Sequence, residues 1–355
     1  METFEGLNVS SKFAICGLPI RIDSYKTCSF GCEYCFSNAR KVMEFRKELQ
    51  IANVSSIQNR LDRIYNGGKC VSFLDVMIKN GITWHCGGMS DPFQPIEKEL
   101  GVTRDILDVT NKYGIHILFS TKSDSVYDAN IDNKLHSFQL SISNVYNRSD
   151  IEPNVPNIDK RLKFFNMLKD AGFRVGVRIQ PFIPNVSNLE IVKMFHNADH
   201  FTLEGIKIVP QNEEQKSFVR EVLGLDLSSF TQMGLLNLKP SVRMRLYEPF
   251  IKYFNDNGIS YSIADNDLRY LSNNRCCCGD SLVSKSTSFN VTSMIANYGR
   301  DYSLSDVLSE CDASGCLECD VRGLFTSNRV GNCHSVSDFY KKRFYDKASP
   351  FSPMF

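Results

Sequence analysis

The sequence predicts an α/β protein built on a parallel sheet, and two observations carry that expectation. Strand-like and helix-like runs alternate through the first two thirds of the 355 residues, and several helical runs stop at a glycine just before the next strand. Strands are expected over 13–22, 82–86, 115–121, 138–142, 174–182 and 201–209. Helical patterns lie between them, over 55–65, 73–80, 97–113, 160–171 and 189–197. The stop signals are Lys79-Asn80-Gly81, Lys112-Tyr113-Gly114 and Asp170-Ala171-Gly172. Six strands joined by helical crossovers imply a parallel sheet with both faces covered. Periodicity does not separate a barrel from an open doubly wound sheet, but in both folds ligands gather at the carboxyl ends of the strands. Past Pro210 the rhythm stops: 213–223, 230–236 and 241–257 read as helices and 259–264 as another strand. From about residue 273 the chain is rich in Ser, Asn, Gly and Cys, with weak periodicity, and reads as a cysteine-bearing appendage packed against the rest.

Composition narrows the function classes. Apolar residues at 42% and charged residues at 23% supply an ordinary globular core. Lys+Arg at 41 against Asp+Glu at 40 leave a formal net charge of +1, so no extended basic surface for a nucleic-acid duplex is expected. The sequence shows no positively charged leader with an apolar stretch and cleavage site, and no run long enough to span a bilayer. The 13 cysteines therefore read as metal ligation in a reducing compartment, the cytoplasm, rather than as disulfides. No nucleophile triad or paired-carboxylate signature suggests an ordinary hydrolase, and no catalytic residue is assigned.

The segment with the most chemistry is Cys28-Ser29-Phe30-Gly31-Cys32-Glu33-Tyr34-Cys35, just after the first strand. Three thiolates on one tight loop can hold three corners of a 4Fe–4S cluster, leaving the fourth iron open. A zinc loop is the alternative, but zinc sites usually show two C-x2-C-like pairs and no fourth ligand follows nearby. The C-x3-C-x2-C spacing, with an aromatic residue before the last cysteine, resembles the radical S-adenosylmethionine (radical SAM) superfamily. That resemblance covers approximately residues 13–210. It implies a partial (β/α)6 barrel over 1–210, a helical extension completing the barrel over 211–272, and a cysteine-rich C-terminal tail over 273–355. It also implies that SAM chelates the open iron and is reductively cleaved to a 5′-deoxyadenosyl radical. The electron would come from a flavodoxin or ferredoxin.

Further segments fit the same resemblance. The run His85-Cys86-Gly87-Gly88-Met89-Ser90-Asp91-Pro92-Phe93-Gln94-Pro95-Ile96-Glu97 follows the second strand, where paired glycines let a ligand approach the backbone. It is similar to the family's Gly-Gly-Glu segment, with Met89 where glutamate is usual, and its Ser90-Asp91-Pro92 continuation resembles the spore photoproduct lyase-like branch. Thr121-Lys122-Ser123 ends the third strand and again resembles that branch, which implies Lys122 on the SAM carboxylate; a solvated loop lysine is the plainer reading. Ser141 and Ser143 share one face of the fourth strand, and Gly176, Arg178 and Gln180 one face of the fifth. Facing inward, these residues would meet SAM's ribose and carboxylate; a structural salt bridge is the other reading of Arg178. The resemblance places Tyr34 near the adenine.

The tail carries Cys276-Cys277-Cys278, Cys311, Cys316, Cys319 and Cys333. Cys276, Cys278, Cys311, Cys316 and Cys319 could hold a second iron–sulfur cluster or a zinc, or remain free thiols. One of these thiols could instead donate a hydrogen atom to a product radical, as the branch resemblance suggests. Cys16, Cys70 and Cys86 sit in apolar runs and read as core. The resemblance implies a lyase acting on a small, nucleobase-like substrate, a modified base such as queuine. The alternatives are a DNA photoproduct lyase-like repair enzyme and a SAM-binding iron–sulfur protein serving electron transfer or regulation.

Overall fold

The computed structural model describes residues 1–9, 17–35, 37, 48–233, 235–265, 267–274 and 276–286. In chain order the strands are β1 (Thr3–Phe4), β2 (Leu7–Val9), β3 (Ile20–Ile22), β4 (Ile51–Ala52), β5 (Trp84–Cys86), β6 (Ile117–Thr121) and β7 (His136–Ser141). Then come β8 (Arg174–Phe182), β9 (Phe201–Gly205), β10 (Lys207–Ile208), β11 (Phe230–Met233), β12 (Leu235–Leu238) and β13 (Tyr261–Ile263). Eight of these strands form one sheet in the order β13-β9-β8-β7-β6-β5-β3-β2. Every neighbour in it is parallel except β2, which runs antiparallel to β3 at one edge. The six expected strands are thus β3, β5, β6, β7, β8 and β9 in consecutive order, with β13 as a seventh parallel member. This is a partial α/β barrel.

Helices cover the outside: α1 (Val54–Tyr65), α2 (Phe73–Lys79), α3 (Glu97–Leu100), α4 (Val102–Asn111), α5 (Ile158–Asp170) and α6 (Glu190–Met194), followed by α7 (Glu213–Ser217) and α8 (Pro240–Asp256). Strand alternation sorts the side chains. Ile117, Phe119, Phe138, Leu140, Val175 and Val177 join Leu61, Leu107, Phe165 and Leu168 of the helices in one core. The opposite face of the same strands is polar: Ser120, Ser137, Gln139, Arg178, Thr202 and Ser262.

That polar face is the barrel interior, and the chain returns to line it. Residues 276–285 run across it from β13 to β5. Ser262 Oγ donates to the Cys276 carbonyl (2.8 Å), Thr202 Oγ1 to Cys277 (2.8 Å), Gln139 Nε2 to Cys278 (3.0 Å) and Ser137 Oγ to Leu282 (2.5 Å). At the far side, Thr83 N donates to the Lys285 carbonyl (2.9 Å). Leu18, Leu118, Cys276, Cys278 and Leu282 fill the space beneath as a small apolar cluster. The beginning of the expected appendage is therefore a floor inside the barrel.

Three expectations need correction. The 97–113 helix is two helices, α3 and α4, separated by Gly101 at φ +63°, a conformation glycine adopts without strain. The 201–209 strand is interrupted: β9 stays in the barrel, and β10 pairs antiparallel with β12 in a separate three-stranded sheet. The described residues of the 230–236 stretch lie in two strands, β11 and β12, not in a helix, with Met233 opposite Leu235 and Phe230 opposite Leu238. Apolar residues there satisfy both a 3.6 and a 2 period over a short window, and pairing with β10 selects the latter. Among the described residues, no helix is long and apolar enough to cross a membrane.

Candidate active site

The cysteine loop leaves β3 at its carboxyl end and is held from three directions. Gly31 turns at φ +62° between Cys28 and Cys32, and the Cys35 amide closes back on the Cys32 carbonyl at 3.0 Å. Gln94 clamps the start of the loop: its Oε1 accepts from Ser29 N (2.7 Å) and its Nε2 donates to the Thr27 carbonyl (2.8 Å). Asn154 Nδ2 donates to the Ser29 carbonyl (3.0 Å), and Glu33 N to the Ile151 carbonyl (3.1 Å).

Cys28, Cys32 and Cys35 are free and half-buried. Burial, reinforced by Asp91, pushes the Cys28 thiol up to about 12. Burial raises Cys32 as well, opposed by the nearby Lys122 ammonium, with Glu152, Cys28 and Cys35 adding to the rise. The field of Cys35 thus reaches Cys28, and those of Cys28 and Cys35 reach Cys32. No group of three or more His, Cys, Asp or Glu side chains among the described residues is arranged to hold a metal ion. One zinc would draw its thiolates to about 3.8 Å apart, given a Zn–S bond near 2.3 Å and tetrahedral geometry. An iron–sulfur cluster bound through three separate corners spreads them wider. Three free thiols on one braced loop fit such a group.

Next to the loop, Gly87 and Gly88 form a tight backbone passage. Gly87 has φ +92°, and a Cβ there would meet the Ser120 carbonyl oxygen at 2.1 Å; one on Gly88 would meet Arg21 Nη1 at 2.2 Å. Met89 N donates to Asp23 Oδ1 (3.0 Å) and Ser90 Oγ to the Tyr25 carbonyl (2.5 Å). The residues after them brace this region. Buried Asp91 accepts from Lys122 N (2.6 Å), Thr121 Oγ1 (2.7 Å) and Phe93 N (3.0 Å), tying this segment to the end of β6. Glu97 accepts from Thr103 N (3.0 Å) and Arg104 N (2.9 Å), capping α4.

Lys122 is no solvated loop lysine. Its Nζ donates to Glu152 Oε1 at 2.9 Å and sits 5.3 Å from the centre of the Tyr34 ring. Tyr34 also donates to Glu152, and Arg161 lies 4.0 Å from that carboxylate's other oxygen. Burial pushes the Glu152 carboxyl up, but Lys122, Arg161 and the hydrogen bonds outweigh it and hold it below the usual range. Lys122, Tyr34 and the three thiols therefore share one end of the barrel. Glu152, which links them, sits in a loop with no motif around it, and no sequence signal marked it.

Ser141, Arg178 and Gln180 occupy the neighbouring strand ends. Arg178 points inward, as alternation requires, but its partners are neutral: Gln139 Oε1 at 2.8 Å, Gln180 Oε1 at 2.7 Å and Cys278 Sγ at 3.8 Å. No structural salt bridge to Arg178 exists among the described residues. Ser143 is fully buried, and its hydroxyl has no hydrogen-bond partner among the described residues. Cys276 and Cys278 are buried in the barrel floor, while Cys277 and Cys278 sulfurs lie 4.0 Å apart. Cys311, Cys316, Cys319 and Cys333 lie outside the described residues, as does Cys16. Cys86 is buried in the helix-side core as expected; Cys70 is only half-buried.

Comparison with solved structures matches this architecture. Spore photoproduct lyase complexed with dinucleoside spore photoproduct superposes at a TM-score of 0.53, with 15% identity, over 72% of this chain and 78% of that one. A mutant of the same lyase with bound AdoMet and dinucleoside spore photoproduct gives a TM-score of 0.52 at 14% identity, over 69% and 76% of the two chains. In sequence, an uncharacterized protein of Methanocaldococcus jannaschii is 29% identical over 208 residues, 52% of this chain and 70% of that protein. No family model matches the chain. The fold is that of spore photoproduct lyase, a partial α/β barrel.

Proposed function

We propose that this protein is a radical SAM enzyme. The observation that carries the reading is the juxtaposition, at one end of the barrel, of a braced three-cysteine loop, the Gly87–Gly88 passage and Lys122. Cys28, Cys32 and Cys35 would hold a 4Fe–4S cluster, and the glycine passage, Ser90, Ser141, Ser143 and Tyr34 would receive SAM. When bound, the cluster and SAM together supply a carbon radical able to abstract hydrogen from an unactivated position. The chain's own contribution is placement. Gln94 and Asn154 fix the loop, Asp91 fixes the strand end carrying Lys122, and the 276–285 floor closes the interior to water.

Within this class we propose a lyase acting on a small, nucleobase-like substrate, with a flavodoxin or ferredoxin as electron donor in the cytoplasm. The likeness to a lyase that binds a dinucleoside supports that chemistry. The balanced charge of +1 supports a small substrate over a DNA duplex. Nothing in the site singles out queuine among modified bases. The tail cysteines Cys311, Cys316 and Cys319, with Cys276 or Cys278, remain a proposed second metal site. Loss of zinc or iron from a Cys316→Ala/Cys319→Ala protein tests that proposal.

Lys122→Met tests the SAM site. Removing one charge-assisted bond in a buried site costs about 1.5–3 kcal/mol, so SAM affinity measured by calorimetry should fall roughly ten- to a hundredfold. Cluster content should not change, because lysine ligates no iron. Wild-type SAM affinity in the variant would remove Lys122 from the site.

A further inference from the structure

Two arginines stand on the inner wall of the barrel with no carboxylate against them. Arg21, on β3, has a buried Nε without a hydrogen-bond partner, and no ion pair is made by it among the described residues. Arg178, on β8, is held only by the amide oxygens of Gln139 and Gln180 and by the Cys278 sulfur. Elsewhere the chain sets other enclosed arginines against carboxylates. Arg243 lies 3.1 Å from Asp265 and 2.6 Å from Asp267, and Arg60 lies 2.7 Å from Asp75. Enclosed charge without a carboxylate is costly, so two such arginines on the inner wall of one barrel call for a common cause.

A run of polar side chains on the inner wall joins them: Ser120 Oγ also donates to Gln139 Oε1, the acceptor for Arg178, at 3.4 Å. His85 on β5, paired in register with Arg21, faces the same interior, its Nε2 2.8 Å from Ser120 Oγ. Burial, then Arg21, then Arg178 drive its titration well below the usual histidine range, so both arginine fields reach this point while the imidazole stays neutral. Arg21 also lies directly against Gly88, at the SAM passage. On the far wall, Gln139 uses its Nε2 on the Cys278 carbonyl of the floor, which aims its Oε1 at Arg178. The result is a polar inner wall of neutral side chains with a cation at each end, Arg21 on β3 and Arg178 on β8.

We propose that the substrate of this barrel carries an oxyanion, a carboxylate or a phosphate, that binds between Arg21 and Arg178. A neutral free base would leave both cations uncompensated, whereas a planar guanidinium pairs either oxyanion through two parallel hydrogen bonds. The assignment as a substrate group rests on the radical SAM reading; the anion site itself rests on the arginines.

The test uses the cluster-reconstituted full chain saturated with SAM. It is titrated calorimetrically with sodium phosphate and, separately, sodium benzoate, with ionic strength held by sodium chloride. At least one anion should bind the wild type, and the tighter of the two identifies the source. Arg21→Gln and Arg178→Gln should each weaken that binding about tenfold or more, with Arg21→Lys and Arg178→Lys restoring part of it. Because Arg21 lies against Gly88, Arg21→Gln should cost anion affinity clearly more than SAM affinity, measured by a parallel SAM titration. Binding of neither anion, or wild-type anion affinity in both glutamine variants, overturns the proposal. So does an equal loss of SAM affinity, which would make the arginines part of the SAM site. Formation of 5′-deoxyadenosine from SAM and dithionite, measured without added anion, separates the two readings: its absence removes the radical chemistry and leaves the anion titration to be judged alone.

Discussion

Gln94→Ala separates the support of the cysteine loop from its ligands. Gln94 is 1% exposed and makes two bonds to the loop, accepting from Ser29 N at 2.7 Å and donating to the Thr27 carbonyl at 2.8 Å. Each such bond contributes about 0.5–1.5 kcal/mol net, and more if its partner is left dry and unmet. Thr27 is half-buried and Ser29 is exposed, so water can replace part of what is lost. Together the two bonds should be worth about 1–3 kcal/mol to the loop conformation, or roughly five- to 150-fold in its population. The loss falls on the loop and not on the sheet. Chelator-driven iron release from the reconstituted variant should therefore accelerate by about that factor, while the melting temperature of the apo protein moves little. Gln94→Glu, which keeps the acceptor for Ser29 and loses the donor to Thr27, should lie between. Wild-type iron retention in Gln94→Ala, with the side chain gone and the fold intact, would refute the bracing argument.

Gly87→Ala should fold poorly or lose SAM binding, because a Cβ meets the Ser120 carbonyl at 2.1 Å and φ is +92°; comparing the thermal midpoint and SAM affinity of the two proteins checks this. Arg243→Met should lower unfolding stability by about 3–5 kcal/mol, since it strands the buried carboxylates of Asp265 and Asp267. Denaturant unfolding reads that loss, and an effect below 1 kcal/mol would mean the network is relaxed or wet.

The barrel was largely legible because its strands repeat a local signal: an apolar run, a helical crossover and a glycine stop. The 174–182 strand matches β8 at both ends. The three-cysteine loop was legible from spacing alone, and the shared face of Arg178 and Gln180 from alternation. What escaped is what depends on long-range contact. Glu152 reaches Tyr34 and Lys122 from a loop 118 and 30 residues away in sequence, and nothing local announces it. The 276–285 floor reads as a weakly patterned tail, because its partners are side chains scattered over β5, β7, β9 and β13. Its one sequence trace is the placement of Thr83, Ser137, Gln139, Thr202 and Ser262 on otherwise apolar strands. Those residues needed acceptors or donors that only a returning chain supplies. The 230–236 stretch failed for a different reason: Phe230 and Met233 are spaced as on a helix but pair with β12, and the pairing of β12 with distant β10 is invisible locally.

The central claim is that Cys28, Cys32 and Cys35 hold a cluster that cleaves SAM. Its most direct measurement is 5′-deoxyadenosine formation by anaerobically reconstituted, dithionite-reduced protein, set against the Cys28→Ala/Cys32→Ala/Cys35→Ala variant prepared in parallel. The account predicts 5′-deoxyadenosine from the wild type, and none from a folded variant that has lost the iron of this loop. A wild type that binds iron and SAM yet forms no 5′-deoxyadenosine, or a variant that forms it as well as the wild type, would contradict it.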